Sequence, residues 1–81
     1  MSEHADNVHT ARQLIADARR KARGVKGESV SAQSARCGYN GIAEGLAAAI
    51  RLSDGPDATR SAYWREKLAA EIADAVKRLA E

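Results

Sequence analysis

The sequence predicts an all-α fold, a small antiparallel three-helix bundle or helical hairpin array. Three observations lead there. Apolar residues recur at alternating steps of three and four, two glycine-containing breaks divide the chain into three blocks, and nothing alternates with the period of two that a strand requires. At 81 residues there is room for one domain and no more.

The core that this composition can build is thin. Ala accounts for 18 residues, whereas Val, Ile and Leu together number 13 and Phe is absent. A fully buried Leu or Ile contributes roughly 1.5–3 kcal/mol and a methyl group far less. Such a low share of branched aliphatics accompanies disorder when net charge is high. Here the net charge is +2 and the apolar residues are periodic, so the chain is expected to fold. A domain this small is marginal even with a good core. An Ala-rich one is therefore expected to gain burial by close helix contact, self-association or docking on a partner.

The first block places Val8, Ala11, Ile15, Ala18, Ala22 and Val25 on one stripe, with Leu14 beside them. That pattern predicts a helix over about residues 7–23, with residues 1–5 frayed. Asp6 or Asn7 is the expected cap, and Arg19, Arg20, Lys21 and Arg23 stand where cations suit the C-terminal dipole. Gly24 and Gly27 end it.

The second block starts at Ser29, a good N-cap, and predicts a helix over about 30–52 with a stripe of Ala32, Ala35, Tyr39, Ile42, Leu46 and Ala49. One position earlier runs a row of small residues: Ser34, Gly38, Gly41, Gly45 and Ala48. Each glycine inside a helix costs about 1 kcal/mol against alanine, and Asn40-Gly41 is itself a turn signal. Two outcomes stay open: one long helix carrying a glycine groove, or a helix kinked or broken near Gly38–Gly41. The apolar register crosses the glycines without a phase jump, which favours the first.

Ser53-Asp54-Gly55-Pro56-Asp57 is the clearest loop, because Gly and Pro both interrupt a helix. Asp57 then caps a third helix over about 57–79. Its stripe is Trp64, Leu68, Ile72, Ala75 and Leu79, widened by Val76, and Asp74 and Arg78 form an i,i+4 pair in the favourable orientation.

Several chemistries lack their residues. His4 and His9 are five apart and so fall on different helix faces, and Cys37 is the only cysteine, so neither a metal site nor an intramolecular disulfide is expected. As a nucleophile Cys37 would need an oriented base such as His9; a small buried apolar side chain is the simpler role for it. No pair of carboxylates and no phosphate loop stands out, so no cofactor and no enzymatic activity are expected. The polar N-terminus lacks the apolar stretch of a signal peptide, and no run approaches the length of a membrane span. The expected location is cytoplasmic, away from any membrane.

Three surfaces remain as candidate binding sites. Arg12, Arg19, Arg20, Arg23 and Lys26 make a basic face on helix one, which could neutralise the phosphates of a nucleic acid. A helix-turn-helix within the second block fails on packing. With Gly38 in the turn Gln33 and Glu44 take apolar positions, and with Gly41 in the turn Arg36 and Asn40 do. The row Ser34, Gly38, Gly41 and Gly45 would let another helix approach closely, or would receive a large side chain such as Trp64 from within the chain. Arg60, Tyr63, Trp64 and Arg65 combine the residue types that dominate binding hot spots, with Trp64 assigned to the core by its stripe. The leading expectation is a non-enzymatic protein-interaction module, a small regulator or phage-type inhibitor that blocks a macromolecular partner by surface binding, and a homodimer. The alternative is a nucleic-acid-associated protein using the basic face.

Overall fold

The computed structural model describes residues 2–80, which form three helices packed on one another: α1 Glu3–Gly24, α2 Val30–Ser53 and α3 Ala58–Leu79. Each starts on a side chain that satisfies an amide left unpaired by the helix geometry. Ser2 Oγ accepts from the Ala5 amide at 3.1 Å, Ser29 Oγ from that of Ala32 at 3.1 Å, and an Asp57 carboxylate oxygen from that of Arg60 at 2.9 Å. Ser29 and Asp57 are the caps expected from sequence; the start of α1 is a correction. It is capped by Ser2 rather than Asp6 or Asn7, so residues 3–5 are helical instead of frayed, and Met1 lies outside the described residues. A tertiary contact adds to this local cap. His4 reaches the far end of α2, its Nε2 3.4 Å from an Asp54 carboxylate oxygen and 3.5 Å from Ser53 Oγ, and so pins the first turn.

The second helix runs unbroken from Val30 to Ser53, through Gly38 and Gly41. Its stripe packs against both neighbours, and that burial outweighs the roughly 3 kcal/mol that three glycines cost. Gly27, with φ at +92°, turns the chain in the left-handed region between α1 and α2. Arg36 closes that turn onto α2, its Nη1 donating to the carbonyls of Val25 (3.3 Å) and Gly27 (2.9 Å). The second turn is tied by Ser61 Oγ, which donates to the Gly55 carbonyl at 2.7 Å.

The core bears out the thinness that the composition implies. Of the ten buried apolar side chains seven are alanine, and the others are Leu46, Leu68 and Leu79. Around Ala11, Leu46, Ala49, Leu68 and Ala75 lie side chains only partly covered, among them Ile15, Ile42, Trp64 and Ile72. Trp64 therefore serves the core, as its stripe requires. Two side chains depart from expectation. Val76 is 51% exposed, so it does not widen the α3 stripe, and Cys37 is exposed rather than buried. At 100° per residue Cys37 points away from the Leu46–Tyr39 side of α2.

Candidate functional site

Two faces of α2 meet the candidate surfaces, and they point in different directions. On α1, Arg12, Arg19 and Arg23 stand within about 40° of one another around the axis. On α2, Arg36, Asn40 and Arg51 share a face within about 60°. Arg19 and Arg23 line a hollow of about 390 Å³ together with Arg36, Asn40 and Glu44, so the structure brings Arg36 of α2 to two of the α1 arginines. The helices run antiparallel: His4 meets Asp54 at one end, and Arg36 meets the α1–α2 turn at the other. Arg12 and Arg51 thus lie toward the same end of the pair.

Two arginines outside this group are paired with carboxylates of their own helices. Arg20 lies 3.0 Å from Asp17, and Arg78 lies 3.7 Å from Asp74. Lys21 donates to the Leu79 carbonyl at 2.6 Å, and Lys67 lies 6.0 Å over the Tyr63 ring. Among the described residues no ion pair involves Arg12, Arg19, Arg23, Arg36 or Arg51. Arg20, expected on the basic face, is turned to a neighbour on its own helix. Lys26 stands in the α1–α2 turn, between the two carbonyls that hold Arg36.

The glycine row lies roughly 140–200° around α2 from Arg36, facing α3. A Cβ added to Gly38 or Gly41 would meet nothing within 4 Å, and at Gly45 it would meet only the Glu71 carboxylate, at 3.7 Å. Trp64 therefore does not fill this row, and within one chain it is not closely packed. Shallow hollows of about 110 and 200 Å³ open there, floored by glycine and the half-buried Ile42, with Arg78 at both. Glu71 Oε2 is covered at this place without a hydrogen-bond partner. Ser34, at the start of the row, is exposed.

The aromatic patch divides. Trp64 turns to the core, while Tyr63, 54% exposed, stands edge-on to it with ring centroids 5.4 Å apart. Arg60 and Arg65 are exposed, and Arg65 borders hollows on either side of it. Among the described residues no three His, Cys, Asp or Glu side chains converge to hold a metal ion, and no helix is long and apolar enough to cross a membrane. Two features escaped the sequence: the part Arg36 and Arg51 take in the basic face, and the anchoring of His4. Helical register supplies only that Arg36 and Arg51 share a face of α2; that this face adjoins the α1 arginines follows from the packing of the two helices. Nothing local signals the second.

Comparison of the chain with protein-family models, with curated proteins and with solved structures finds no match in any of the three.

Proposed function

We propose that the protein is a non-enzymatic interaction module that works by occupying a surface of another macromolecule, and that its first partner is a second copy of itself. The observation that carries this is the glycine row. Gly38 and Gly41 each weaken α2 by about 1 kcal/mol, yet no atom of the chain approaches where their side chains would be. A thinly cored domain gains by removing such a cost. Close approach of another helix is what glycines at this spacing permit.

Charge suits a two-fold partner on this face. Glu71, Asp74 and Arg78 all line the same hollow, so an isologous contact would bring a second Arg78 to the unpartnered Glu71 oxygen. The half-covered Ile42 and Tyr39 supply apolar area beside the row. A cytoplasmic location fits the exposed thiol of Cys37, which a reducing compartment keeps free. A regulator or inhibitor would use such a dimer to present its remaining surface to a target.

Thermal unfolding over a hundredfold range of protein concentration tests the reading. A dimer that unfolds to monomers melts higher as concentration rises. A midpoint independent of concentration rejects the homodimer.

A further inference from the structure

We infer that the α1–α2 face is a binding site for the sugar-phosphate backbone of a nucleic-acid duplex. Arg19, Arg23 and Arg36 line one hollow with a single acid, Glu44, and helical register puts Arg12 on the same side of α1 and Arg51 on the same side of α2. The chain has 13 basic and 11 acidic residues, so outside this face eight basic residues meet ten acidic ones. A nearly neutral protein thus carries its positive charge on one side. Among the described residues none of the five lies within 4 Å of a carboxylate; Arg60 and Arg65 on α3 share that state, so what marks this face is the clustering of its arginines.

The geometry suits a backbone. Arg12 to Arg23 spans about 16 Å along α1, and Arg36 to Arg51 about 22 Å along α2. The arginines therefore form two parallel rows rather than a single point. Arg36 is held in place by the Val25 and Gly27 carbonyls through one nitrogen, which leaves its other donors toward the hollow that it shares with Arg19 and Arg23. A guanidinium fork so held matches a phosphate in geometry. No aromatic side chain lies among these residues, whereas single-strand binding relies on aromatic stacking of bases. Tyr39 turns to the core cluster, and Tyr63 and Trp64 are on α3. The occupant is accordingly a duplex, read by charge and not by sequence. The site is on the other side of α2 from the glycine row, so it does not depend on the dimer.

The test is fluorescence-anisotropy titration of labelled duplex DNA, duplex RNA and single-stranded DNA at rising salt. With about five phosphates neutralised, the logarithm of affinity for duplex DNA should fall with the logarithm of salt at a slope of about −4.5, roughly 500-fold between 50 and 200 mM. The double variant Arg19→Gln/Arg23→Gln, changed at exposed positions, should lower the slope to about −2.7 and the loss to roughly 40-fold. Glu44→Gln should tighten binding, and Arg60→Gln, on α3, should leave it unchanged. Whichever duplex binds more tightly names the source of the backbone. Circular dichroism of each variant separates lost binding from lost folding. Absence of duplex binding at low salt overturns the inference. So do preference for the single strand and equal loss in the Arg60 and Arg19/Arg23 variants.

Discussion

Gly38 and Gly41 show how much one residue can reveal when its surroundings are empty. In a helix interior glycine is the costliest residue short of proline, and its usual justifications are a positive φ or a close neighbour. Neither glycine has a positive φ or an atom within reach of an added Cβ. In the isolated chain Gly38→Ala and Gly41→Ala should therefore each stabilise by about 1 kcal/mol. For a domain of this size that raises the melting midpoint by roughly 4–8 °C, read by circular dichroism at the lowest workable concentration. A lower midpoint there would mean that the row is packed within the chain after all. The same positions explain why sequence alone left two outcomes for the second block. Glycine count argues for a break and apolar register for continuity, and only the packing of α2 on both neighbours decides between them.

At the level of elements, most of the architecture was legible, because it rests on local signals. Ser29 and Asp57 cap their helices as placed, the Gly55-Pro56 loop falls between α2 and α3, and the stripes of all three helices turn inward. The departures have both distant and local causes. The start of α1 combines the local Ser2 cap with His4 against Asp54, fifty residues away, and Val76 is exposed at the edge of the α3 stripe, about 40° past Ile72 in register. Cys37 was expected to be buried from the habits of its residue type, whereas register places it outward. Ser61 is a further case: buried in the first turn of α3, it ties the preceding loop through the Gly55 carbonyl. Ser61→Ala should cost about 1–2 kcal/mol, since the carbonyl loses its donor, measured by urea denaturation. A change below about 0.5 kcal/mol would show that the tie does not hold the loop.

The whole molecule is an elongated body, 44 × 22 × 15 Å, with an alanine interior and two opposed outer faces on its central helix. The basic face was half legible. Its α1 arginines share a register that can be counted, but their union with Arg36 and Arg51 requires knowing that α1 and α2 lie side by side and antiparallel. The glycine face is legible as a row, but whether a side chain such as Trp64 or another helix would fill it stays open in the sequence, and in the structure Trp64 packs on the core and leaves the row unfilled. Both faces bear on one issue, whether a chain with so few large buried side chains is complete alone. Domains of this length have a total stability of roughly 4–12 kcal/mol, so two glycines without an intramolecular purpose are a substantial fraction of it.

Sedimentation equilibrium of the wild-type chain beside Gly41→Leu measures this most directly. Gly41 is exposed, an added Cβ there meets nothing within 4 Å, and the substitution removes a glycine from α2, so the variant should fold at least as stably. It should nonetheless sediment as a monomer at concentrations where the wild type is a dimer. A wild type that remains monomeric throughout, or a Gly41→Leu chain that dimerises as readily, contradicts the account.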